Sequence, residues 1–231
     1  MRKLLLLPLL LCSVLGWSAI AFVGNATPVA GTSNTTTSSI SYTPTNGNKV
    51  VILIGHNGST SSESCSDNNG LSLTQGPVNS QSVSYAAVYY YTVSGSPTSF
   101  TCSWTTSRTY VFVVLEYSGV SSVNASPTSN MANTSSTICT TSPVSTVAND
   151  FMVGGCTVGS SKAWTNTVGN QRVTNNSASG SLAAADSTSG GSSGSGVTIT
   201  QTAGTSAVWT SAYIELKPPA TVFSKGHGLS F

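Results

Sequence analysis

Charge is what this chain has least of. Eight Lys/Arg and six Asp/Glu in 231 residues make it 6% charged, against about 25% in an ordinary globular domain. Long surface helices draw their polar face from Glu, Lys and Arg, and no stretch between residues 22 and 217 reads as one. No basic patch could neutralise phosphates, so nucleic acid is not expected as a partner. Histidine is limited to His56 and His227, and no Gly-x-Ser-x-Gly elbow accompanies either. A Ser-His-Asp triad therefore has little to assemble from. His56 reads as an exposed histidine at a strand end, and His227 falls in a C-terminal tail. In place of charge the chain carries hydroxyls: 75 residues are Ser or Thr. With 39% hydrophobic residues and 22 Gly, the composition points to short strands joined by polar turns around a real core.

The N-terminus explains the formal net charge of +2. Arg2 and Lys3 precede an apolar run from Leu4 to Val23, the pattern of a secretory signal. Ala19-Ile20-Ala21 supplies small residues at −3 and −1, which predicts cleavage before Phe22. The competing reading is an uncleaved anchor, since about 20 apolar residues can cross a bilayer; Pro8, Ser13, Gly16 and Ser18 interrupt the run. Leu11 is too large for lipidation at Cys12. Residues 1–21 are thus read as signal peptide, 22–217 as one β-sandwich domain and 218–231 as tail. The mature chain has six basic and six acidic groups, is expected outside the cell or on its surface, and is not expected in the membrane after cleavage.

Four cysteines remain: Cys65, Cys102, Cys139 and Cys156. An even count in an exported chain reads as two disulfides. Zinc is the alternative, but spacings of 37, 37 and 17 residues contain no C-x-x-C pair. Cys139 and Cys156 flank a plausible hairpin with its turn near residues 146–150, which favours their pairing. Cys65–Cys102 follows by subtraction.

Candidate strands are short, rich in Val, Ile, Thr, Tyr and Phe, and bounded by Gly, Asn, Ser and Pro. They fall at 22–29, 38–43, 49–56, 82–93, 99–105, 109–118, 138–141, 150–158, 181–186, 197–202 and 207–217. Val50 to Ile54 is a continuous apolar run, as in a strand covered on both faces. Pro44-Thr45-Asn46-Gly47-Asn48 is a turn in which Asn-Gly favours positive φ. The strands at 82–93, 99–105 and 109–118 read as a consecutive meander, and the Ser/Gly tract 187–196 as a hairpin loop. Ten to twelve strands in this length make an all-β, single antiparallel sandwich.

Four motifs recur in a familiar order: Ser41-Tyr42-Thr43-Pro44-Thr45, Leu115-Glu116-Tyr117-Ser118-Gly119-Val120, Ala148-Asn149-Asp150-Phe151-Met152-Val153-Gly154-Gly155 and Ala212-Tyr213-Ile214-Glu215-Leu216-Lys217-Pro218. In this the chain resembles a widespread class of bacterial extracellular, lectin-like β-sandwich modules. The resemblance implies a jelly-roll-like sandwich, often one module of a larger surface protein, and it transfers no catalytic residue.

For chemistry, the paired carboxylates Glu116 and Glu215 are the enzyme reading, because jelly-roll glycosidases use two acids across a concave sheet. Glu116 has no acidic neighbour at i±2 or i±4, and both acids lie near strand ends, where carboxylates are usually solvated. Ser66-Asp67-Asn68-Asn69-Gly70 offers oxygen ligands for calcium but is also a plain turn sequence. No metal and no cofactor is expected. The aromatics are more suggestive. In the last strand, alternation puts Trp209, Ser211, Tyr213 and Glu215 on one face, with Val208, Ala212, Ile214 and Leu216 on the other. Tyr89 and Tyr91 likewise oppose Val88 and Tyr90. If the first face meets solvent, Tyr89, Tyr91, Trp209, Tyr213 and Glu215 form a sugar-binding platform; otherwise the rings are core residues with a tethered polar tip. Six Asn-x-Ser/Thr sequons, at Asn25, Asn34, Asn57, Asn124, Asn133 and Asn175, are potential glycosylation sites. The expected role is a secreted, non-catalytic module binding a glycan or cell-surface polymer, with an assembly subunit and then a glycosidase as alternatives.

Overall fold

The computed structural model describes residues 19–58, 62–126, 135–140, 144–145, 149–177, 180–187 and 196–220. The signal region up to residue 18, the tail beyond residue 220, and residues 188–195 of the Ser/Gly tract lie outside them. Among the described residues there is no helix, and every strand pairing is antiparallel. Seventeen strands are present, more than the sequence suggests. They are β1 (Ala21–Asn25), β2 (Val29–Ser41), β3 (Lys49–His56), β4 (Glu63–Asp67), β5 (Thr74–Gln81), β6 (Ser84–Thr92), β7 (Ser99–Ser118), β8 (Ser122–Asn124) and β9 (Ser136–Thr140). Then follow β10 (Val144–Ser145), β11 (Phe151–Val158), β12 (Trp164–Val168), β13 (Asn170–Ser177), β14 (Gly180–Asp186), β15 (Gly196–Val197), β16 (Thr200–Ala207) and β17 (Thr210–Lys217).

The first sheet is organised by β7, a single strand of 20 residues where two were expected. Along one edge β7 pairs with β4 and then β3; along the other it pairs with β2 and then β1. β6 and β5 continue beyond β3. The expected meander is therefore not formed: β3 lies between β6 and β7. Its unbroken apolar stretch pairs with both neighbours along its whole length, and that central position displaces the hairpin contact. The second sheet has the order β13-β14-β11-β17-β8, the third is β12-β16-β9, and β10 pairs with β15.

Side-chain alternation stacks these sheets into layers. Val51, Leu53, Val113 and Leu115 face Val153, Leu182, Ile214 and Leu216, so the first two sheets share a core. On the opposite face of the first sheet, Val50, Ile52, Ile54 and Tyr89 meet Ile40, Phe100 and Trp104. The early half of β7, with β4 and the end of β2, thus folds back as a ribbon over the later half. Phe100 meets Tyr91 edge-on at 6.0 Å, and Trp104 meets Tyr110 at 4.8 Å. On the far face of the second sheet, Cys156, Val158 and Ala183 are covered by Cys139, Trp164, Ala203 and Trp209. Both large sheets are therefore covered on both sides. This is why β3, β11 and β14 are buried along their whole length, as the apolar run in β3 predicts.

Turn chemistry follows sequence. Gly47 has φ 85° in the Asn-Gly turn, a conformation open to glycine at little cost. Gly155 has a different reason: a Cβ there would lie 2.0 Å from the Ala183 carbonyl oxygen and 2.7 Å from a Leu53 methyl. Its bare backbone lets the two main sheets approach.

Candidate functional site

The cysteines pair as predicted, Cys65 with Cys102 and Cys139 with Cys156. The hairpin argument for the second pair needs correction. β9 bonds to β16, whereas β11 bonds to β14 and β17. Cys139–Cys156 is a tie between layers, from the third sheet to the second. Residues 146–148 of the expected hairpin turn lie outside the described residues.

The five platform residues divide between faces as alternation predicts but are not exposed. Ala212, Ile214 and Leu216 do face the central core. The opposite face, carrying Trp209 and Tyr213, is roofed by the third sheet and Ile199. Trp209 is 5% exposed, Tyr213 0% and Glu215 1%. Tyr89, at 1%, and Tyr91 lie beneath the ribbon. Their polar tips are tethered: the Tyr89 hydroxyl accepts from Gln75 Nε2 at 2.8 Å, and the Tyr91 hydroxyl points to Asp67 Oδ2 at 3.4 Å. Burial pushes the Tyr89, Tyr91 and Tyr213 hydroxyls well above the usual tyrosine range. The expected exposed row is therefore an internal one. The reason lies in β12 and β16, whose polar sequences give no sign that they form a roof.

His56 also departs from expectation. It is 3% exposed and stacks on Tyr85 at 4.1 Å, with Nε2 at 2.7 Å from Glu63 Oε1. Its Nδ1 lies 3.0 Å from the Asn57 carbonyl oxygen. Burial first, and then the charge of Glu63, raise the Tyr85 hydroxyl far above its usual range. The pair is sealed: both side chains are 0% exposed, so no substrate reaches it. It fastens the ribbon strand β4 to the end of β3.

The other acids behave alike. Glu116 and Glu215 stand in different sheets, each buried rather than solvated. Glu116 accepts from the Tyr42 hydroxyl at 2.7 Å, the Thr45 amide at 2.8 Å and Asn48 Nδ2. Burial alone would raise its pKa, but these donors outweigh it and hold the carboxyl below its usual range. Glu215 accepts from Asn124 at 2.8 Å and lies 3.2 Å from Lys217 Nζ, which also reaches Asp150 at 3.4 Å. Burial lowers the Lys217 pKa, but these two carboxylates raise it more. Asp186 accepts from Tyr117 at 2.9 Å and Asn170 at 3.1 Å, and pairs with Arg172 at 2.6 Å, whose guanidinium lies over Phe22. Asp67 Oδ1 accepts the Asn69 and Leu71 amides at 2.9 Å, so the candidate calcium loop is an Asx turn. All six carboxylates of the chain are thus buried and each binds strand to strand, strand to loop or turn to core. Glu63, Asp186 and Arg172 were not singled out in the sequence, because their partners lie in other strands and no local spacing announces them.

One surface groove, about 230 Å³, lies at the end of the third sheet between Val158, Ser160, Lys162 and Ala207. Lys162 Nζ donates to Thr205 Oγ1 at 2.6 Å and to the Ser206 carbonyl at 3.3 Å. Among the described residues no group of three or more His, Cys, Asp or Glu is placed to hold a metal ion. No protein family, curated protein or solved structure matches this chain.

Proposed function

We propose that the chain is an exported, non-catalytic module of the cell exterior, adhesive or carbohydrate-binding in role, on a jelly-roll-like sandwich frame. The observation that carries this reading is where the ionisable groups have gone. Every carboxylate is buried in a structural tie, while what meets solvent is dominated by hydroxyls and amides. General acid–base work needs a group within reach of a substrate, and these acids are turned inward. Two disulfides support an oxidising compartment, as does the N-terminal signal pattern. The two main sheets sharing one core support the sandwich frame.

The second reading, an assembly subunit, is favoured by a specific feature. Among the described residues β5, β9 and β13 each pair along one edge only, and an unpaired edge is a template for another strand. Soluble-glycan binding, reducing-sugar release and light scattering on one preparation separate the readings. Glycan binding by a monomer, without sugar release, is expected. Concentration-dependent oligomers with no glycan bound would favour assembly, and sugar release would overturn a non-catalytic role.

A further inference from the structure

The solvent side of the ribbon carries only hydroxyls, in register. Thr37 lies opposite Ser103, which lies opposite Ser64; two residues along, Ser39 lies opposite Thr101, which lies opposite Ser66. In the row between them, Cys102 and Cys65 point the other way, into the core. None of the six outward residues is buried and none is charged. Ser41 opposite Ser99 begins a third row. Within rows the side chains bond to one another. Ser39 Oγ and Thr101 Oγ1 are 2.7 Å apart, and Ser103 Oγ donates to Thr37 Oγ1 at 3.2 Å. Such cross-strand pairs restrain the rotamers. Strand geometry sets the repeat, about 4.8 Å between strands and roughly 6.8 Å between alternate residues of one strand. The Cys65–Cys102 bond joins β4 to β7 directly beneath the array.

We propose that this hydroxyl array is a docking face for the surface of an insoluble, neutral polysaccharide. The proposal rests on the adhesive reading above and supplies the face that the buried aromatics do not. Hydroxyls both donate and accept, which is the chemistry a neutral polysaccharide presents. The array holds no charge that would be stranded against such a surface. Each contact is weak because water competes for it. A repeating array on a repeating solid makes many contacts at once, so the second and later ones form at high effective concentration. Internal hydrogen bonds and the disulfide below hold the array in place beforehand, which reduces the ordering cost of binding.

The test is co-sedimentation of the full secreted chain with microcrystalline cellulose and with chitin powder. The variants are Ser39→Lys and Thr101→Lys in the array, and Thr174→Lys as a charge-matched control on the exposed part of β13. Wild type and T174K should pellet equally, and S39K and T101K should partition at least tenfold less, all four with melting temperatures within a few degrees. Equal pelleting of all four would overturn the array and leave the adhesive reading standing. If wild type pellets with neither powder, the polysaccharide assignment is overturned; soluble glycans still bound would then preserve the adhesive reading, and none bound would end both. Enrichment of wild type in slowly growing ice, with neither powder bound, would also overturn it and reassign the array to ordered water.

Discussion

The two outer layers cover the two main sheets in different ways. The ribbon is continuous with the sheet it covers: β7 runs through both, so backbone hydrogen bonds carry cohesion from one layer to the other. Its disulfide lies inside the layer, between residues that are already strand neighbours. The third sheet shares no ladder with the second. It is held by packing around Trp164 and Trp209 and by Cys139–Cys156, which crosses between layers. Polar satisfaction differs in the same direction. Under the ribbon, Tyr89, Tyr91 and His56 have partners. Under the third sheet, Gln201 is fully buried with neither amide atom bonded, and Trp209 Nε1 has no partner among the described residues. A layer grown from its neighbour is stabilised by shared strands; a layer laid upon it depends on side chains and a covalent tie. The third sheet should therefore open as a local unit, well before global unfolding.

Four experiments bear on this contrast, in order of expected size. Trp209→Ala removes the largest side chain under the third sheet and should cost about 3–5 kcal/mol in urea unfolding. A cost near zero would mean that the roof does not pack on this ring. Removing Cys139–Cys156 as a double Ser variant should cost about 3 kcal/mol by loop-closure entropy, and removing Cys65–Cys102, with its 37-residue separation, slightly under 4. The informative readout is hydrogen exchange. The first variant should lose protection selectively in Ser136–Thr140 and Thr200–Ala207 while Phe151–Val158 keeps it; the second should show no selective loss in β4. Indistinguishable exchange patterns would end the comparison.

Glu116 holds the loop 42–48 that joins the ribbon strand β2 to β3. Glu116→Gln should cost about 1–2 kcal/mol at neutral pH. Because the folded carboxyl titrates below its unfolded value, its contribution is complete above the unfolded pKa, about 4.3. It is lost as pH falls through the folded value. Wild type should therefore lose more stability than E116Q below about pH 4.3, measured as urea midpoints at a series of pH values. Parallel profiles would refute the tie. The smallest effect has the opposite sign: Gln201→Leu replaces an unbonded buried amide with an apolar group and should stabilise by about 1 kcal/mol. A loss of stability there would show that the amide is bonded in solution.

The legible strands are those whose side chains are apolar in run or alternation. β3 agrees to the residue, and β11 and β14 agree within one residue at their starts. β4, β5, β12 and β13 escaped because they read Glu-Ser-Cys-Ser-Asp, or carry Gly76-Pro77, or are mostly Thr, Asn and Gln. An edge or cover strand needs only one inward face, and here that face is short and interrupted. The break expected near residues 106–108 of β7 came from the same blindness, since exposed polar residues continue a strand without an apolar signal.

The sequence by itself determined what is local: the β class, the Asn46-Gly47 turn, which residues of β17 share a face, and that four cysteines outside the signal make two bonds. These follow from backbone sterics, a side-chain period of two and the small number of thiols. Tertiary structure alone decided what stands opposite each face. Alternation separates Trp209 and Tyr213 from Ile214, but whether they meet water or a second layer depends on where β12 and β16 come to rest. The same holds for His56 and Glu63, and for the row of hydroxyls on the ribbon. Each depends on the pairing of strands distant in sequence, and pairing register is a property of the assembled sheet.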